Sequence, residues 1–200
     1  MQDMHLVLHG LAIKKHATAE AVATLIGLPL ERVRSTLAEA VKRGRAAEAQ
    51  GRYLLTPTAR MALDGEYSKY YDGLRKDAAF LAAYEGFERI NVELKTLITD
   101  WQTLNVAGRR VPNDHSDAAH DQRVIDRLGD LHERADRLFA TLVAGLPRLQ
   151  IYRDHLLAAL EKAEDGSIEW VSDVRIDSYH TVWFELHEEL LRLMGRTRTE

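Results

Sequence analysis

The chain has 200 residues, of which 46% are hydrophobic and 29% charged, and its formal net charge is −4. That balance belongs to a globular protein with enough apolar residues for one large core or two small ones. There is no cysteine, which excludes disulfides and thiolate metal sites and fits a reducing compartment.

Met4, Val7, Leu8 and Leu11 recur at helical spacing and predict a first helix over residues 3 to 15. Thr18 is a suitable N-cap for a short second helix, with Glu20 in the first turn, where the helix dipole favours an acid. Val22, Leu25 and Ile26 form its inner face, and Gly27 ends it. Leu28 and Pro29 lead into a third helix with Val33, Leu37, Ala40 and Val41 inward, closed by Gly44. Gln50-Gly51 marks a β-hairpin tip within residues 45 to 55, and Thr56-Pro57 starts a new helix. Helix, short helix, glycine turn and longer helix, in that order, make a helix-turn-helix pattern.

The stretch GLPLERVRSTLAEAVKRGRA followed by GRYLLTPTAR resembles MarR-type and related winged-helix proteins. In those, a recognition helix, a hairpin wing and a "Y-x-LTP-x-x-R" helix start follow in this order. The wing here is shorter, and its tip lacks the Asp-x-Arg of the MarR pattern. The resemblance implies a winged helix-turn-helix over residues 1–60, a module used mostly to bind DNA.

Residues 1–60 carry +4 and the remaining 140 carry −8, as a nucleic-acid-binding head on an acidic body would. With Val33 and Leu37 inward, the third helix turns Glu31, Arg32, Ser35, Glu39 and Lys42 outward. Two glutamates on that face oppose phosphate, so the bases at the rim matter more. The candidate DNA-binding residues are Arg32, Arg34, Ser35, Lys42, Arg43, Arg45 and Arg52, with Lys14 and Lys15 nearby.

From residue 61 to 200 the pattern predicts an antiparallel helical bundle, making the fold class mainly α. A helix from Pro57 to about Gly73 carries Met61, Tyr67, Tyr70 and Tyr71. The next runs from about Asp77 to Leu104 with Phe80, Tyr84, Phe87, Asn91, Leu94, Ile98 and Trp101 at spacings of four and three. Asn91 is the one polar residue of that seam and reads as a buried amide that fixes register. Residues 105–120 lack a period and read as a solvated loop; Arg109, Arg110, Asn113, Asp114 and His115 are its candidates for an anion or a metal. A helix over about 122 to 144 turns Val124, Leu128, Leu131, Ala135, Leu138 and Leu142 inward, and another follows with Leu149, Tyr152, Leu156 and Leu160.

The last helix starts near Asp177-Ser178 and ends at Gly195. Tyr179, Val182, Trp183, Leu186, Leu190, Leu193 and Met194 form one stripe, widened by His180, Phe184, His187 and Leu191. So wide an apolar arc implies a central helix or a dimer interface, and a homodimer is expected. His180, Trp183, Phe184 and His187 are candidate walls of a site for a small anionic ligand, with Arg148 and Arg175 as anchors. The competing reading is a plain core with two hydrogen-bonded histidines.

DSYHTVWFELHEELLRLMGRTR, with FERINVELKTLITDWQ, NDHSDAAHDQRVIDRLGDLH and LPRLQIYRDHLLAAL before it, resembles a helical region of actinobacterial proteins. That region is associated with phosphoenolpyruvate-utilising, pyruvate-phosphate-dikinase-like proteins and implies an accessory or regulatory role. No nucleophile-base motif, H-E-x-x-H or phosphate loop is present, so no catalysis, metal or cofactor is expected. No secretory leader or membrane span is evident, and the cytoplasm is the expected location. Two functions stay open. One is a winged-helix DNA-binding transcription regulator with a helical dimerisation and effector domain. The other is a non-enzymatic accessory or protein-interaction module linked to phosphoenolpyruvate-utilising enzymes.

Overall fold

The structure is a computed structural model that describes residues 3–197, so the outermost ends of the two expected domains, 1–2 and 198–200, lie outside it. It is mainly helical, with two small antiparallel hairpins. Two compact units emerge, residues 1–77 with 187–200, and residues 78–186. The division falls at Asp77 rather than at residue 60, and the described residues from His187 onward join the first unit.

The first unit opens with α1 (Asp3–Lys14), α2 (Ala19–Ile26) and α3 (Leu30–Lys42). Thr18 caps α2 as its sequence implies, accepting a hydrogen bond from Ala21 N, and Gly27 follows at φ +67°. Val7, Leu11, Val22, Val33, Leu37 and Ala40 are all fully enclosed and form the centre of this unit. Val41 was expected in that core but is 37% exposed. The steps 33, 37 and 40 follow the helix pitch, and Val41 falls about 100° to one side of Ala40.

Strands β1 (Ala46–Ala49) and β2 (Arg52–Leu55) pair antiparallel with Ala46 opposite Leu55. Gln50 and Gly51 form the tip, both at positive φ, as a two-residue hairpin turn of matching twist requires. Between α1 and α2 the chain touches the returning strand. Ala17 N donates to Tyr53 O at 3.0 Å and Tyr53 N to Ala17 O at 2.7 Å. Thr56 caps α4 (Pro57–Lys76), which buries Ala59, Leu63, Tyr67 and Tyr71 and leaves Met61 in solvent.

The second unit contains α5 (Ala78–Gln102), α6 (Ala118–Gly145) and α7 (Gln150–Glu164). All seven seam residues predicted for α5 are buried. Asn91 is the buried amide it was expected to be: its Oδ1 accepts from Trp183 Nε1 at 3.1 Å. Helix α8 (Tyr179–Met194) contributes to the second unit up to Leu186 and to the first from His187. Its central predicted stripe is buried within the single chain, while Phe184, on the flank that widens the arc, stays 38% exposed and His180 is half-buried. Among the described residues no helix is long and apolar enough to cross a membrane.

Residues 105–120 are not a plain loop. Strands β3 (Thr103–Val106) and β4 (Arg109–Pro112) form a second hairpin, with Ala107 and Gly108 at positive φ at its tip. Both of its faces are largely wet, so the alternation that reveals a strand is missing from the sequence.

Candidate functional site

Helix α3 buries Val33, Leu37 and Ala40, and that choice fixes what it shows to solvent. Its arginines face outward but each meets a carboxylate. Arg32 donates to Asp3 from Nε at 3.0 Å and from Nη2 at 2.6 Å. Arg34 donates to Glu20 at 2.7 Å and to Glu31 at 3.1 Å. Arg43 binds Glu39 at 2.6 Å, and the Ser35 hydroxyl turns back to Arg32 O. The Arg34 guanidinium holds Glu20 below the usual carboxylate range, and Arg43 does the same to Glu39. These acids stay ionised and compete with any phosphate for the same cations. Exposed pairs of this kind are weak and exchange partners readily.

A second group of bases lies on the strand edge and the hairpin base. The Ala17–Tyr53 pairing sets Lys14, Lys15 and His16 beside β2, and Arg52 Nη1 reaches His16 O at 3.4 Å. Arg45 is half-buried just before β1 and shares a cleft of about 200 Å³ with Arg43 and Thr58. Thr56 Oγ1 donates to Gly44 O at 2.9 Å and closes the base of that hairpin. Lys42 is exposed at the end of α3.

The residues proposed as ligand walls occupy very different places. Trp183 is 2% exposed, with its indole stacked on Phe87 at 4.7 Å and on Tyr179 at 6.0 Å. Such a ring is a core element with little face left for a ligand. Phe184 lies at the surface, His180 is half-buried and His187 is buried. Arg175 folds back onto Asp173, two residues away, at 2.6 Å, and Arg148 is half-buried on the 3-10 turn Pro147–Leu149. The loop candidates also separate. Arg109 and Arg110 are exposed on β4, while Asn113 and His115 both bind the buried Asp121 carboxylate, at 2.9 and 3.0 Å. Among the described residues no group of three His, Asp or Glu is arranged to hold a metal ion.

Family models, curated proteins and solved structures give no match to this chain.

Two buried polar clusters were not foreseen. In the first unit, His9 Nδ1 lies 2.7 Å from the Tyr67 hydroxyl, and its Nε2 lies 3.5 Å from the fully buried Glu189. His5 lies 3.1 Å from Glu66 and packs on Tyr70. The signal was the i, i+4 spacing of His5 and His9 on an apolar helix face. In the second unit, His132 Nδ1 meets the Tyr179 hydroxyl at 3.2 Å.

Burial holds His132 below the usual histidine range, against the pull of Asp136, and burial also lowers His180. Each takes up a proton more readily when unfolded. Stability is therefore fully present above the unfolded value, near about 6.5, and is lost as pH falls toward the depressed folded value. The three tryptophans, Trp101, Trp170 and Trp183, all lie in the second unit. Melting followed by tryptophan fluorescence is expected to shift down between about pH 7.5 and 5.5. His132→Gln should flatten that shift; an unchanged slope in the variant would remove His132 from the account.

Proposed function

We propose that the first unit is a winged-helix DNA-binding module and that the chain acts as a transcription regulator, with the second unit as its helical body. The observation that carries this reading is the reciprocal backbone pairing of Ala17 with Tyr53. It adds a short extended segment between α1 and α2 to the β1–β2 hairpin. A winged helix places a strand between its first two helices in this way, and in this reading β1–β2 is the wing and α3 the recognition helix.

Sequence-independent contacts dominate the affinity in this reading. Lys14, Lys15, Arg45 and Arg52 sit around the hairpin and its edge, where side chains reach phosphates rather than bases. Arg32, Arg34 and Arg43 join only by leaving Asp3, Glu20, Glu31 and Glu39. A binding titration against mixed-sequence duplex over a range of salt tests this. Arg45→Ala and Arg52→Ala should each weaken binding evenly across sequences and lower the salt slope by about 1.

The same ion pairs favour a second reading, an accessory protein-contact module linked to phosphoenolpyruvate-utilising enzymes. A recognition face whose arginines are already neutralised is suited to a mixed-charge protein surface. Absence of duplex binding even at low salt would favour it.

A further inference from the structure

The first unit also contains a cavity of about 410 Å³ that the DNA-binding reading does not use. One wall is α4, through Tyr67 and Arg75. The other is the end of α8 and the turn after it, through Leu191, Arg192 and Arg196.

The charges around it are unbalanced in a specific way. Its lining includes two carboxylates, Asp64 and Glu188, and both are taken by one arginine. Arg192 donates to Asp64 at 3.0 Å and lies 2.8 Å from Glu188. Arg75 spends its Nε and Nη2 on backbone carbonyls, Leu193 O at 2.6 Å and Arg192 O at 3.3 Å. Those carbonyls end α8, and their partial negative charge offsets part of the guanidinium's charge without supplying a full counter-ion. Arg196 is exposed at the mouth. Neither Arg75 nor Arg196 has a carboxylate partner among the described residues.

The backbone is shaped to bring Arg75 there. Gly195 sits at φ +64°, and a Cβ on it would lie 3.0 Å from Arg75 Nη2. A side chain there would push that guanidinium back by a few tenths of an ångström, and the positive φ itself favours glycine. Tyr67 and Leu191 supply the apolar surface, and the Tyr67 hydroxyl is held by His9. A half-open cavity lined by three guanidiniums and two carboxylates, a net excess of one positive charge, with an aromatic wall, suits a compact anion with a short carbon part.

We propose that this cavity binds a small organic dianion, a dicarboxylate or a phosphate ester, gripped by Arg75 and Arg196. The proposal stands independently of whether the first unit binds DNA, and DNA binding is not its readout.

The test is calorimetric titration of the full chain with malonate and, separately, with inorganic phosphate, at ionic strength held constant with chloride. At least one probe should bind saturably and raise the melting temperature. Saturation by malonate alone identifies a carboxylate ligand, and by phosphate alone a phosphoryl ligand; saturation by both identifies a site that reads charge and size. Arg196→Ala removes only a solvent-facing side chain and should weaken binding at least tenfold without changing the melting temperature of the free protein. Gly195→Ala should weaken it as well by displacing Arg75. The proposal is overturned if neither probe saturates beyond the effect of chloride, or if Arg196→Ala binds as the wild type does.

Discussion

Leu37→Asp is expected to unfold the first unit. Leu37 is fully enclosed at the middle of α3, between Val33 and Ala40. The substitution removes a buried leucine and leaves a carboxylate with no cation in reach of the core. An unpaired charge in such a place costs about 4 kcal/mol or more. That is a large share of a typical total stability of about 5–15 kcal/mol. Amide exchange should lose protection through α1, α2 and α3, while tryptophan fluorescence, which reports the second unit, keeps its native signal. Leu37→Met, close in volume, should cost less than about 1.5 kcal/mol. Native protection in the α1–α3 amides of the aspartate variant would overturn the assignment of this core.

The second large effect is expected from Trp183→Ala. Phe87, Tyr179 and Phe139 surround the indole, the last at 5.8 Å and nearly edge-on. Removing it opens a large void at a cost of about 3–5 kcal/mol. It also strands the Asn91 carbonyl, which loses its one indole donor and adds about 1–3 kcal/mol. Trp183→Phe separates the terms, because it keeps most of the ring packing and loses only the donor. Denaturant unfolding should rank the variants wild type, then phenylalanine, then alanine, with the double variant Asn91→Leu with Trp183→Phe recovering part of the loss. Equal midpoints for the alanine and phenylalanine variants would show that the ring packing contributes little.

What could be read from the sequence was local or periodic. The seam of α5 repeats every seven residues, and its burial follows from that period alone. The Thr18 and Thr56 caps and the Gln50-Gly51 tip are each decided within four residues. Other features depend on residues far apart. Asp3 and Arg32 meet across 29 positions, so the neutralisation of the α3 arginines left no trace in the sequence. Asp64 and Arg192 are separated by 128, so the cavity between α4 and the end of α8 was equally hidden. His180 and Trp183 look like pocket walls in the sequence, because aromatic and histidine side chains sharing a helix flank look alike in a core and in a pocket. The β3–β4 hairpin was missed for a different reason: strands wet on both faces carry no hydrophobic period.

The first unit is assembled from two segments separated by residues 78–186, and this orders events during synthesis. Domains tend to fold as they emerge, N-terminal parts first. Here α1 to α4 emerge without Glu189, which sits against His9, and without the carbonyls of α8 that bind Arg75. The roughly 110 residues between Asp77 and His187 must be translated first. At about 5–20 residues per second the nascent head waits about 5–20 s for its closing segment. During that interval His9 lacks its Glu189 neighbour and Arg75 lacks the α8 carbonyls, and a ribosome stalled before residue 187 would hold the head without them.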